Sequence, residues 1–396
     1  MEFTQKGSKK TESELLKNII KEVVYGNHAS AILEHMRSHK VNFPRLKNLL
    51  IYHELANFLY VIVNKFGADL KELSSLLKNI YYLQLGHYLR LYSEFIMALT
   101  ESKKRGFMMI PIKGFSYPEN YYKRYGFRPL VDVDLLIKKS DFERGVNLLE
   151  DLGYKKHLLG ATEEYWRKKQ CHVEFVKEQD AYKIILELHW ALDFERGKQE
   201  ILPALWNRLH KTSFQNHEFY IMSPEDTLIS LALHQRRFGK ALNLKYVCDI
   251  GILLNKECLD WEYVIETAYE GRFRASLFFI LAQTQIVLDK NLSQYLDALR
   301  IPFWQRKSIF TIIKKYTYGS PQDFSLSYLY LLCHFLFYDS LGESLLYVLK
   351  IPQEQFAKFY GLPLYDKQTK WRYRIRIVYV FYRLIKDNLL KTLVHK

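Results

Sequence analysis

The stretch Phe127-Arg-Pro-Leu-Val-Asp-Val-Asp-Leu-Leu-Ile137 decides the fold of this chain. Its second half is predicted to be a short strand, and because successive side chains of a strand point to opposite faces, Asp132 and Asp134 share one face. The other face carries the apolar residues Val131, Val133, Leu135 and Ile137. Two ionised carboxylates this close repel each other unless a cation neutralises them, and Mg²⁺ prefers such oxygen ligands. The stretch therefore indicates a metal site, the alternative being a strand whose acids simply face solvent.

A further carboxylate lies on a strand predicted from Tyr182 to Trp190, which pairs as a hairpin with a strand from Gln170 to Lys177. Alternation places Glu187 and His189 on one face of this strand. If it is a neighbour of the aspartate strand, about 4.8 Å away, the acids converge, and such a cluster can hold two metal ions. Taken alone, Glu187 and His189 fit the solvated side of an antiparallel sheet equally well.

A lysine-glycine turn precedes the aspartates, at the end of a buried strand predicted from Phe107 to Ile112. A short helix is predicted from Phe115 to Lys123, and the N–H groups at a helix start bind anions. Glycine lets the backbone approach a phosphate, a serine hydroxyl donates a hydrogen bond, and lysine and arginine supply charge, arginine in bidentate fashion. The candidate phosphate-binding residues are Lys113, Gly114, Ser116 and Arg128.

The organisation predicted from periodicity is an α+β chain, mostly helical, in which a small mixed β-sheet is flanked by helical regions. The boundaries are 1–105 for the N-terminal helical region, 106–222 for the core with the strands, and 223–396 for the C-terminal helical domain with a basic tail. Ser223 before Pro224 is a helix start signal. The helices predicted in the first region are Glu12–Tyr25, Ala29–Ser38, Arg45–Phe66 and Asp69–Lys104.

Three residues of the C-terminal region are possible accessory members of the site. His234 lies in a helix predicted from Pro224 to Phe238, and a histidine on a largely apolar helix face is more often a structural core residue. Lys245 and Asp249 lie four residues apart on the next predicted helix, where an ordinary salt bridge explains them equally well.

The chain is strongly basic, with 58 Lys and Arg against 43 Asp and Glu and a net charge of +15. Residues 367–396 hold nine Lys or Arg and one acid, interleaved with aromatic residues. This tail can hold RNA, an acidic peptide or an anionic membrane surface, or it can be an ordinary helix with solvated charges. The polar N-terminus has no apolar segment behind it, and no apolar run is long enough for a transmembrane helix, which favours the cytoplasm.

These motifs resemble those of the nucleotidyltransferase superfamily typified by DNA polymerase beta. The match is closer to the bacterial uncharacterised nucleotidyltransferase family, which shows a Lys-Gly turn, an Arg-Pro before an Asp-Ile-Asp strand, and a Glu-x-His-Trp strand. Glu187-Leu-His-Trp190 corresponds to the last of these, and the resemblance extends from about Ile110 to Arg383. Phe115 between glycine and serine, and the long interval from Gly114 to Asp132, depart from the pattern of the wider superfamily.

The resemblance implies an enzyme that moves a nucleoside monophosphate from an NTP, such as ATP, to an acceptor hydroxyl or phosphate. Asp132, Asp134 and Glu187 would bind Mg²⁺, with Mn²⁺ as the alternative ion, and Glu187 would help to deprotonate the acceptor. His189 would orient the acceptor or serve as a structural histidine bonded to a backbone carbonyl. The acceptor can be a peptide, a sugar phosphate, a protein or RNA. The alternative function is a non-catalytic binding or scaffold protein that keeps the fold.

Overall fold

The computed structural model describes residues 9–394 except 39–40, 68, 118–120, 123–127, 159–169, 180–181, 194–201, 215, 239–241, 321–325, 351–352 and 364–365. The chain is α+β and mostly helical, as predicted. The first helices are α1 Lys9–Tyr25, α2 Ala29–Ser38, α3 Phe43–Tyr52, α4 Ala56–Phe66, α5 Lys71–Lys104 and α6 Phe142–Asp151. The helices that follow are α7 Leu202–Asn207, α8 Pro224–Phe238, α9 Leu244–Lys256, α10 Trp261–Glu270, α11 Arg274–Leu288 and α12 Ser293–Ala298. The last are α13 Phe303–Tyr316, α14 Leu326–Leu336, α15 Leu341–Lys350, α16 Gln353–Tyr360, α17 Lys367–Arg374 and α18 Arg376–Val394.

The strands form one sheet of five strands and a separate two-stranded hairpin. They are β1 Met109–Pro111, β2 Val133–Ile137, β3 Lys155–Lys156, β4 His172–Gln179, β5 Tyr182–His189, β6 His210–Phe214 and β7 His217–Ile221. The order in the larger sheet is β1-β2-β5-β4-β3. Strand β2 runs parallel to β5, and the other pairs are antiparallel. The aspartate strand and the Glu187 strand are therefore neighbours, and the predicted hairpin is confirmed.

The two faces of the larger sheet pack against different apolar cores, because side chains alternate along each strand. On one face, Val133 and Leu135 of β2 join Leu186 and Leu188 of β5 in a core that also receives α5 and α6. On the opposite face, Leu136 joins a second and larger core built by the helices. The acids lie on this second face, so they are enclosed between the sheet and the helical part of the molecule.

The larger core combines helices from both ends of the chain. Helix α1 packs on α9 and α11, and its residues Leu15, Leu16, Ile19 and Ile20 are fully buried. The outer side of α1 also forms ion pairs with the end of α11. The ammonium groups of Lys17 and Lys21 pair with the Asp289 carboxylate at 2.9 and 2.6 Å. None of the described helices is long and apolar enough to cross a membrane.

Several local predictions need correction. The helix predicted from Arg45 to Phe66 is two helices, interrupted at residues 53–55, where Glu54 has a φ of +57°. The helix predicted from Phe115 to Lys123 is a 3-10 turn over Lys113–Ser116, and its later residues lie partly outside the described chain. Val131 was expected in the buried row, but it is 60% exposed, because the strand begins only at Val133.

Candidate active site

The candidate site is a cluster of carboxylates on the helical face of the sheet. Asp134 and Glu187 are directly opposite each other in the parallel pairing of β2 with β5. Asp132 immediately precedes β2 and faces the same side, close enough for the charges of the other two acids to shift its pKa. The structure thus brings together the predicted catalytic acids, and the register of two buried strands fixes the spacing of Asp134 and Glu187.

Three basic side chains lie against these acids, namely His189, Lys113 and His172, whose Nε2 is 3.7 Å from Oε1 of Glu187. Nε2 of His189 lies 2.9 Å from Oδ1 of Asp134 and 3.1 Å from Oε2 of Glu187, and the Lys113 ammonium also donates to Oδ1 of Asp134. Burial alone would lower the pKa of the His189 imidazole, but its hydrogen bonds to Asp134, Cys171 and Glu187 raise that pKa to about 10. Burial would raise the pKa of Asp134, yet Lys113 and His189 hold it below its usual value. Nε2 of His189 is therefore hydrogen-bonded to two side-chain carboxylates.

The negative charge of the remaining acid, Asp132, is only partly balanced by nearby cations. Burial raises the pKa of Asp132 to about 7, and the charges of Asp134 and Glu187 act in the same direction. Lys113 and Lys245 oppose this rise without cancelling it. The nearby lysines therefore leave part of the negative charge of the three acids unbalanced. A divalent cation fits this place, because it would supply the missing positive charge and accept hard oxygen ligands.

Two overlapping sets of potential metal ligands occur here among the described residues. Ligand atoms of Asp134, Glu187 and His189 lie within 4.8 Å of one another, as do those of Cys171, His172 and His189. The first set is rich in oxygen and suits Mg²⁺ or Mn²⁺, whereas the second combines sulfur with nitrogen. The two sets share His189, whose ring also stacks on that of His172 with centroids 4.8 Å apart.

The lysine-glycine turn lies close to the acids. Its predicted phosphate-binding residues make contacts within the protein. Lys113 has a φ of +57°, and its ammonium donates to Asp134. A Cβ on Gly114 would lie 2.4 Å from Cδ2 of Leu130, so the absence of a side chain here permits close packing within the protein. The Ser116 hydroxyl is buried and donates to the Pro111 carbonyl at 3.0 Å.

Arg128, a predicted phosphate-binding residue, forms a buried ion pair with an acid of the C-terminal region. Its guanidinium donates two hydrogen bonds of 2.7 Å to the Asp249 carboxylate on α9, and the Tyr122 hydroxyl donates to the same carboxylate at 2.8 Å. Both charged partners are nearly or fully buried. The pair joins the segment before the aspartate strand to α9. The salt bridge that the sequence suggests between Lys245 and Asp249 does not form, because Asp249 pairs with Arg128 instead.

Lys245 instead pairs with Glu54 in the break between α3 and α4. Burial lowers the pKa of this lysine, while the Glu54 carboxylate opposes the change. His234 lies beside the Tyr246 hydroxyl, with 2.9 Å between Nε2 and the oxygen, which agrees with a structural histidine. Burial raises the pKa of Tyr246, the residue after Lys245 on α9, and the charges of Glu54, Asp249 and Asp134 act in the same direction.

Four residues near the site were not predicted from the sequence. His172 had a usable signal, because the alternation His172-Val-Glu-Phe175 places it on the polar face of β4, where it is opposite His189. Tyr122 and Glu54 had none, because their contacts with Asp249 and Lys245 join distant parts of the chain. Cys171 lies next to His172, and its thiol is 3.6 Å from Nδ1 of that histidine.

An α+β core with acids on adjacent strands is the arrangement expected of a nucleotidyltransferase. The chain belongs to the uncharacterised nucleotidyltransferase family, whose model matches residues 39–289. The family predicted from the motifs is thereby confirmed, and membership supports a function of the nucleotidyltransferase type. No curated protein and no solved structure matches the chain.

Proposed function

We propose that the protein is a Mg²⁺-dependent enzyme that transfers a nucleoside monophosphate from an NTP to an acceptor hydroxyl or phosphate. The observation that carries the proposal is the convergence of Asp132, Asp134 and Glu187 on one enclosed face of the sheet. Asp132 and Asp134 would bind the metal in common, and Glu187 would complete the ligand set. Bound Mg²⁺ would balance charge on the phosphates and on the acceptor oxygen.

Lys113 is proposed to have two successive partners. In the structure its ammonium pairs with Asp134 and offsets part of the charge of the acid cluster. When a cation takes over that role, Lys113 can turn to the phosphates of the NTP, for which a lysine is a suitable point charge. Gly114 and the backbone N–H groups of the turn would line the same phosphates.

His189 is proposed to hold the carboxylates in place. Its Nε2–H lies between Asp134 and Glu187, so one donor fixes the relative orientation of two acids on neighbouring strands. Residues that orient metal ligands in this way act on metal affinity, because they set the geometry before the ion arrives. Arg128 would act more indirectly, by fixing the segment before Asp132 against α9 through Asp249.

The test uses the full chain with each NTP, Mg²⁺ and separate candidate acceptors: a peptide, a sugar phosphate, a protein and tRNA. We expect release of pyrophosphate that Asp134→Asn lowers by at least a hundredfold, because the variant loses a metal-binding charge but keeps the side-chain size. Mn²⁺ binding followed by electron paramagnetic resonance should weaken in the same variant. Asp151→Asn, on the exposed end of α6, is the matched control and should alter neither measurement.

A non-catalytic binding or scaffold protein is the competing function. It predicts no pyrophosphate release with any NTP and acceptor, together with Mn²⁺ binding that is absent or indifferent to Asp134→Asn. Pyrophosphate release that persists in Asp134→Asn would place the chemistry elsewhere and overturn the assignment of these acids.

A further inference from the structure

The C-terminal helices expose an unusual number of apolar side chains. Helix α18 exposes residues spaced as one helical stripe, namely Val378, Phe381, Tyr382 and Ile385. Val378 is 66% exposed and Ile385 is 62% exposed, although the opposite side of the helix buries Tyr379 and Val380. Large side chains recurring at intervals of three and four residues normally face a protein core. Here the core-facing pattern occurs on the outside of the helix.

Two neighbouring elements extend this stripe. Helix α15 exposes Leu341, Leu345, Leu346 and Leu349. It contacts α18, and the Arg376 guanidinium donates through Nε to the Leu349 carbonyl at 3.1 Å. Helix α17 exposes Lys367, Lys370, Trp371 and Arg374, again on one helical face. We call these twelve residues of α15, α17 and α18 the C-terminal surface.

The charge of this surface has one sign. Lys367, Lys370 and Arg374 are exposed on α17, and Asp387 is the only acid among residues 367–396. On α15 the single acid, Glu343, is already paired with Arg272 at 3.0 Å. The C-terminal surface thus combines leucine, isoleucine and valine with tryptophan, tyrosine and basic groups. Helices of this composition lie in the plane of a membrane interface, with the aromatic and basic residues at the level of the headgroups.

We propose that the C-terminal surface binds an anionic lipid bilayer, with α18 and α15 inserting apolar side chains and α17 meeting the headgroups. A nucleic acid fits this surface less well, because four leucines, a valine and an isoleucine offer nothing to phosphates and cannot stack on bases as aromatic rings do. A second copy of the chain also fits less well. In a two-fold symmetric contact each patch meets itself, which would bring the cations of α17 together.

The experiment is flotation of the full chain with vesicles of phosphatidylcholine alone or mixed with phosphatidylglycerol. We expect binding to the anionic vesicles that falls as salt rises, and little binding to the neutral ones. Phe381→Ser with Ile385→Ser should lower the partition coefficient at least tenfold. Lys367→Ser, Lys370→Ser and Arg374→Ser together should lower it by about a hundredfold at low salt, because each cation near an anionic surface contributes about fivefold.

The control variants carry the same kinds of substitution at exposed positions outside the C-terminal surface. Leu83→Ser removes an exposed apolar residue from α5, and the triple substitution of Lys47, Lys78 and Lys103 to Ser removes equal charge from exposed positions. Both should keep most of the vesicle binding, and circular dichroism should show every variant folded.

Other results would overturn the proposal. Equal binding by the controls and the C-terminal variants would mean that net charge alone is responsible. A dimer in light scattering that dissociates in the Phe381→Ser, Ile385→Ser variant would assign the surface to a second copy. Binding of tRNA that the α17 variant abolishes, without any vesicle binding, would assign it to nucleic acid.

Discussion

At the scale of single residues, Gly114 is constrained by packing within the protein. Because a Cβ there would lie 2.4 Å from Cδ2 of Leu130 and 3.4 Å from Nη1 of Arg128, Gly114→Ala must displace the leucine. We expect a loss of about 1–3 kcal/mol in the free energy of unfolding. Urea denaturation measures it, with Gly86→Ala in α5 as the control.

The control should change stability in the opposite direction. A Cβ on Gly86 would meet only Nη1 of Arg90, at 3.8 Å, so alanine there should stabilise the helix by about 0.5–1 kcal/mol. Equal effects of the two substitutions would contradict the packing described around Leu130.

The burial of His53 should make the free energy of unfolding depend on pH. Burial lowers its pKa to about 3, although a hydrogen bond to the Gly319 backbone opposes the shift. In the unfolded chain the imidazole takes up a proton below pH ~6.5, whereas the folded chain does not until pH ~3. Stability is therefore lost as the pH falls, by about 2 kcal/mol between pH ~7 and ~5.

The measurement compares urea denaturation at both pH values in the wild type and in His53→Asn. Asparagine can still accept the hydrogen bond that His53 Nδ1 accepts from the Leu244 backbone N–H at 3.4 Å. Other groups contribute equally to both proteins, so the difference between their pH dependences isolates His53. Identical dependences would show that this histidine is not buried as a neutral group.

The site also shows what a sequence reveals about single residues. Lys113, the aspartate pair and Glu187 were all identifiable, because each lies in a local pattern of strand or turn. The partner of Arg128 was not, because Asp249 is 121 positions away and no periodicity connects the two. Distant pairs of buried charges depend on how helices pack, which a single sequence does not display.

At the scale of elements, the Arg128–Asp249 pair joins the segment before β2 to α9. Removing one partner leaves the other as an uncompensated buried charge, so Arg128→Met and Asp249→Leu should each cost about 3–5 kcal/mol. The double variant should be more stable than the sum of the single losses predicts. A double-mutant cycle by urea denaturation measures the coupling, and additive losses would contradict a direct buried pair.

Strands and helices differed in how well their bounds could be predicted. The hairpin of β4 and β5 followed from alternation, which is intact through both strands. The break between α3 and α4 did not, because the apolar pattern runs on without proline or glycine. The positive φ of Glu54 accompanies its contacts with Asn243, which caps the distant α9, and with Lys245 in that helix. Tertiary contacts here override a helix that local propensity favours.

At the scale of the whole molecule, α1 lies outside the part matched by the family model, yet it contributes to the main core. A chain beginning at residue 29 would expose the faces of α9 and α11 that α1 covers. We expect it to bind a dye for apolar surfaces and to lose cooperative unfolding. The control is Lys17→Ser with Lys21→Ser, which removes ion pairs at the surface and should cost about 0–1 kcal/mol per pair. Normal cooperative unfolding of the shortened chain would contradict this role of α1.

The contact of α1 with the second half of the chain has a consequence for synthesis in the cell. The Asn255 amide donates to the Val24 carbonyl across 231 residues, so α1 leaves the ribosome long before its partner exists. At roughly 5–20 residues per second, that interval is about 10–50 s. During this time α2 and α4 can pack on α1, but the side of α1 that α9 and α11 cover stays exposed. We therefore expect the nascent chain to depend on chaperones until α9 and α11 have emerged.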